Sequence, residues 1–131
     1  MKNQDWVAYD FAVLRLVPHV HLYGSANVGV VLHSREAEFL GATVLDNPTA
    51  LKVLAPDADA ELLSSYLRTL AGVAEGRANA GPLALLPASE RFHWLSAPRS
   101  DLLQCSPIHG GRTRDPAATL HELFQQYVPD S

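Results

Sequence analysis

Between Leu86 and Gly111 the chain reads LPASERFHWLSAPRSDLLQCSPIHGG, a stretch holding its only cysteine, two of its six histidines and four serines. Ser89, Glu90 and His93 are spaced to be neighbours on a helix, so Glu90 could orient His93 and His93 could activate a hydroxyl. The segment lacks the strained turn that presents a nucleophile in hydrolases. The plainer reading is a capping Ser89, an exposed Glu90 and a rim His93 beside core Phe92 and Trp94. Cys105 and His109 are four apart, yet Pro107 forbids an ordinary helix between them. On a strand they would lie roughly 13 Å apart, at about 3.3 Å per residue, too far for a thiolate–imidazole pair. Cys105 is therefore expected to pack as a small hydrophobe.

Other polar residues invite different chemistry. Arg15 interrupts the apolar run YDFAVLRLVP, and a buried guanidinium needs an anion or carbonyl partners. At a sheet margin it would instead bury its stem and keep its head in water. Arg91, Arg99, Arg112 and Arg114 gather in the last third and suggest a local anion site. Gly110–Gly111 could form a backbone nest beside them, and the start of the last helix could receive a phosphate or carboxylate. His19 and His21 share one face if extended, but a metal site needs a third protein ligand and none is in register. No metal is expected. A turn at Tyr23–Ser25 would bring His33 near Arg15.

The elements that must position these groups follow from hydrophobic period and from caps. Tyr9–Pro18 reads as a strand apolar on both faces, hence central. Asn27–His33 and Glu38–Leu45 are two further strands, and short connections favour an antiparallel meander. Asn47 as cap and Pro48 at the first position open a short helix that stops at Pro56. The next helix carries Leu63, Tyr66, Leu67, Leu70 and Val73 at helical spacing, with an Asp before it and Gly76 after it. RANAGP reads as loop. PASERFHWL supplies one or two helical turns capped by Ser89, and DLLQCSPI a fourth strand. A last helix starts at Asp115–Pro116, buries Leu120, Leu123, Phe124 and Tyr127, and breaks at Pro129. Its amphipathic pattern suits either a core face or a partner groove. The order predicts a single α+β domain: an antiparallel sheet of about four strands, with helices packed mainly on one face.

The 131 residues suffice for a core without staples, and 47% hydrophobic with 18% charged residues is a globular composition. One cysteine cannot build a disulfide framework, and neither a signal peptide nor a membrane span is evident, so a cytoplasmic protein without membrane association is expected. A formal charge of −4 argues against broad capture of nucleic acid.

Taken together, YDFAVLRLVP, NVGVVL, FLGA, SERFHWLSAPRS, CSPIHGG and DPAATLHELF resemble a bacterial family of small proteins, domain-of-unknown-function family 3037. The resemblance runs from about Tyr9 to Val128 and brings no established activity. It marks Asn27, Ser89, Glu90, Arg91, Trp94, Arg99, Ser106 and His109 as matching the family's polar pattern, and it implies a HipA-like kinase as a partner. Between Pro18 and Asn27 the chain has HVHLYGSA where the family pattern implies an acidic and basic mix, so the histidine pair is not expected to be a family metal site.

The expectation is a binding or regulatory protein that acts through a protein partner and needs no cofactor. Its anion-recognising groove would draw on Arg15, Asn27, Arg91, Arg99, Ser106 and His109. The rival is a hydrolase or phosphodiesterase with His93 or His109 as general acid/base, assisted by Glu90. A nucleic-acid module through the basic last third ranks below both.

Overall fold

In a computed structural model, residues 5–17, 26–97 and 103–128 are described. Val7–Leu16 (β1) is the central strand. It pairs antiparallel with Ala26–Ser34 (β2), which pairs antiparallel with Phe39–Val44 (β3). Both faces of β1 carry apolar residues, and Phe11, Ala12, Val13, Leu14 and Leu16 are all buried, as a strand covered on two sides requires.

The opposite edge of β1 is shared by two short strands. Leu103–Cys105 (β4) pairs with Leu14–Leu16, and His109–Thr113 (β5) with Val7–Phe11. The five strands thus fill four lateral positions. Pro107 lacks an N–H and cannot continue the ladder, so the edge breaks there. Ser106 spans the break. Its N–H donates to the Val13 carbonyl at 2.8 Å, and its hydroxyl accepts from the Val13 N–H at 2.9 Å.

Pro48–Leu54 (α1), Ala60–Glu75 (α2), Ala88–Leu95 (α3) and Pro116–Tyr127 (α4) are the helices. Asn47, Asp59 and Asp115 accept N–H bonds from the first turns of α1, α2 and α4. Gly76 closes α2 at φ 74°, in the left-handed region that glycine enters without strain. The expected Ser89 cap is not formed. Pro87 occupies the cap position, and Ser89 lies exposed in the first turn of α3. The RANAGP segment contributes to two short 3₁₀ turns, Ala78–Ala80 and Pro82–Leu85, rather than plain loop.

Alternation along the strands divides the helices between two faces. Phe11 meets Tyr127 of α4, and Gly41 lies under Leu120 of the same helix. Asp10 and His33 point the other way, where Phe92 of α3 stacks on His33 at 5.2 Å. Helix α2 packs on α3 and β3, and α1 on α2. Three of the four helices therefore cover one face and α4 the other. The buried side chains form one cluster, in which a fully buried leucine contributes roughly 1.5–3 kcal/mol.

The β1–β2 register differs from the expected one. Arg15 pairs with Asn27, and His33 pairs with Asp10 at the far end of the hairpin. The expected Tyr23–Ser25 turn and the His19/His21 pair lie outside the described residues. The observed register sets Val13 against Val30 and Phe11 against Leu32, joining the buried halves of both strands.

Candidate functional site

The residues singled out above are distributed over both sides of the sheet. Arg15 is exposed and, by alternation from Phe11 and Val13, lies on the α4 side. Asn27 is half-buried, and its Nδ2 donates to the Tyr127 carbonyl at 2.8 Å, tying β2 to the end of α4. His109 is exposed on the same side, its ring 5.4 Å from that of Phe11. Arg91 sits on the opposite side, where its guanidinium donates to the carbonyls of Leu86 and Ala74. It thereby caps the C-terminal end of α2 and fastens α3 to it. Arg15, Arg91 and His109 do not line one groove. Arg99 lies outside the described residues.

Within α3, Glu90 and His93 are both exposed, and no hydrogen bond joins the side chains of Ser89, Glu90 and His93. Trp94 is half-buried against the core. Cys105 Sγ approaches the carbonyls of Leu95 and Ala97, on the α3 side, whereas His109 faces α4. The two cannot meet, as their spacing implied. Ser106 is buried, with its hydroxyl committed to the Val13 N–H and the Pro107 carbonyl.

The nest expected at Gly110–Gly111 is absent, because both glycines are extended within β5 and neither has a positive φ. At the head of α4, Asp115 places its own carboxylate on the helix N-terminus, so an incoming anion would meet like charge there. Arg112 reaches the Trp6 carbonyl, and Arg114 lies over the Trp6 ring at 5.1 Å.

A different group of residues does converge. Where β1 begins and β2 ends, a cleft of about 240 Å³ is lined by Ala8, Tyr9, Asp10, His33, Arg35, Glu36 and Ser89. Side chains build its floor. Glu36 accepts from the Ala8 N–H at 2.8 Å and Ser34 donates to the Ala8 carbonyl at 2.8 Å, extending the ladder past the end of β2. The turn that follows is closed by Glu38 N–H to the Arg35 carbonyl.

His33 is half-buried beneath Phe92, and this burial pushes its pKa below the ordinary 6.5. Asp10 pulls in the opposite direction, while Arg35 and Arg91 reinforce the lowering. In neutral solution the ring is uncharged, with one nitrogen able to accept a proton or a hydrogen bond. Sequence reasoning missed this site because it depends on the hairpin register. The available signal was Asp10 and His33, two polar residues set into otherwise apolar strands.

Among the described residues no group of three or more histidine, cysteine, aspartate or glutamate side chains could hold a metal ion. None of the described helices is long and apolar enough to cross a membrane.

The chain matches the family model described as "Protein of unknown function (DUF3037)" over residues 11–128. It belongs to that family. The match takes in all of β2 to α4 and the buried half of β1, while Ala8, Tyr9 and Asp10 of the cleft precede it. Comparison with curated proteins and with solved structures gave no match.

Proposed function

We propose that this family member is a binding protein that recognises a small polar ligand, or a single protruding side chain, in the His33 cleft. The observation that carries this reading is the meeting of Arg35, an uncharged His33, Asp10 and Ser89 around one opening. Arg35 supplies a donor for an anionic group, and Asp10 with the acceptor nitrogen of His33 suits a donor on the same ligand. At about 240 Å³ the space is below the roughly 300–1,000 Å³ of pockets for drug-sized molecules, which favours an amino-acid-sized ligand over a nucleotide.

The reading extends the expected anion-recognising protein, with Arg35 in place of the dispersed arginines. A bacterial cytoplasm suits a chain with a single cysteine, and a HipA-like kinase is a partner that the family resemblance adds. The test is a titration of the protein with free amino acids and inorganic phosphate, following the His33 ring resonances. A ligand that shifts them, and that binds at least ten-fold more weakly to Arg35→Ala, supports the reading. Silence of His33 across the panel would end it.

A second reading, acid–base catalysis, is favoured by one observation: an imidazole uncharged in neutral solution beside a carboxylate in a cleft. His33 would take the role expected of His93 or His109. It predicts turnover of an activated ester or phosphodiester that His33→Ala abolishes.

A further inference from the structure

The backbone of β1 shows which groups of β5 remain open. Ala8 turns its N–H and carbonyl toward β2, where Glu36 and Ser34 receive them. Neighbouring residues of a strand address opposite edges, so Tyr9, Phe11 and Val13 turn toward β5 and β4. The two bonds between Val13 and Ser106 follow this rule. Tyr9 pairs with Gly111 and Phe11 with His109, so Gly111 and His109 exchange bonds with β1. Gly110 and Arg112 must turn their N–H and carbonyl groups outward. No hydrogen bond of the described residues involves those outward groups.

An open edge is a template for another strand, and proteins blunt it with a proline, a covering element, a bulge or charged side chains. His109–Thr113 has neither a proline nor a bulge, and its one charge, Arg112, opposes a basic strand but not an acidic one. We propose that the outer edge of β5 is a docking edge for an extended, acidic segment of a partner protein, which joins the sheet as a strand beside Gly110 and Arg112.

Charge selects this occupant. Arg112 in β5 and Arg114 just past its end are exposed, their guanidinium groups beside the Trp6 carbonyl and ring. They stand two residues apart, the spacing of alternate residues on an added strand. Acidic residues opposite them would complete two cross-strand pairs. A second copy of this chain would bring its own Arg112 and Arg114 to the edge and add like charge. The inference goes beyond the His33 cleft and does not depend on it.

The test uses three fluorescein-labelled octapeptides: glutamate alternating with valine, lysine alternating with valine, and the glutamate peptide with its valines replaced by proline. The glutamate–valine peptide is expected to bind at least ten-fold more tightly than the other two, and to slow amide exchange at Gly110 and Arg112. Combining Arg112→Glu with Arg114→Glu should invert the preference in favour of the lysine peptide, a gain that unfolding cannot produce. Arg35→Ala should leave this binding unchanged, separating it from the cleft. Equal binding of the proline peptide, or no added protection at Gly110 and Arg112, overturns the proposal. So does protection of those amides that grows with protein concentration alone, which would assign the edge to a second copy.

Discussion

Val13 and Ser106 exchange two hydrogen bonds across the interrupted edge of the sheet, with the serine hydroxyl standing in for a backbone acceptor. The break at Pro107 would otherwise leave the Val13 N–H buried without a partner. Ser106→Ala should therefore destabilise the fold by about 1–3 kcal/mol, the cost of stranding a buried donor. Urea denaturation measures it, and a change within about 0.5 kcal/mol, as for an ordinary surface substitution, would contradict this role.

Gly111 lies under the ring of Tyr9, its partner across the strands. An added Cβ would stand 2.5 Å from the Tyr9 hydroxyl oxygen and 2.6 Å from the ring carbon that bears it. Gly111→Ala should cost about 1 kcal/mol, the low end of overpacking, because what must move is the far end of the half-buried Tyr9 side chain. In a Tyr9→Ala background most of that penalty should vanish, so a double-mutant cycle reads the contact directly. Additive effects would show that the clash is relieved elsewhere.

Arg91 joins α3 to the end of α2 through the Leu86 and Ala74 carbonyls. Because its Nε is buried without a hydrogen-bond partner, which offsets part of what the two carbonyl bonds contribute, Arg91→Met should cost about 1–2 kcal/mol, below the upper range for charged hydrogen bonds. The lost cation also depresses His33, so the same variant should raise the His33 pKa. An NMR titration of the ring checks this, and an unmoved midpoint would separate Arg91 from the cleft electrostatically.

Stability should depend on pH through His33. Its folded pKa is held below the ordinary 6.5, so the unfolded chain takes up a proton first as the pH falls. The stability contributed by the neutral ring is complete above about pH 6.5 and is lost as the pH drops toward and through the folded pKa. His33→Leu should flatten that slope below about pH 6.5 in urea titrations. An equally steep slope in the variant would assign the effect to other groups.

The parts of the fold legible in the sequence are those set by local chemistry. Asn47–Pro48, Asp59, Gly76 and Asp115–Pro116 mark helix ends because each residue satisfies its own neighbouring backbone, whatever the rest of the chain does. The central position of β1 was legible because both its faces are apolar. Strand β5 was not, since HGGRT has no apolar alternation and is extended only through pairing with β1. The Ser89 cap failed because Pro87, two residues earlier, starts the helix without a side-chain bond.

The candidate site was less legible for a related reason. Asp10 and His33 are far apart in sequence and meet only through a register that the apolar halves of β1 and β2 decide. The eye-catching residues of the 86–111 segment are mostly spent on architecture: Arg91 on a helix end, Ser106 on the strand break, Cys105 against the end of α3.

The sharing of one β1 edge by β4 and β5 also has a bearing on synthesis. During translation β1, β2 and β3 emerge together, but the other edge of β1, whose C-terminal half is largely buried, is covered only by residues 103–113. Until that segment leaves the ribosome, a long apolar strand waits with half its amides unmatched, the condition under which nascent chains aggregate or recruit chaperones. A pause in translation between α2 and β4 would lengthen that exposure, so slow codons there should lower the soluble yield more than slow codons placed after α4.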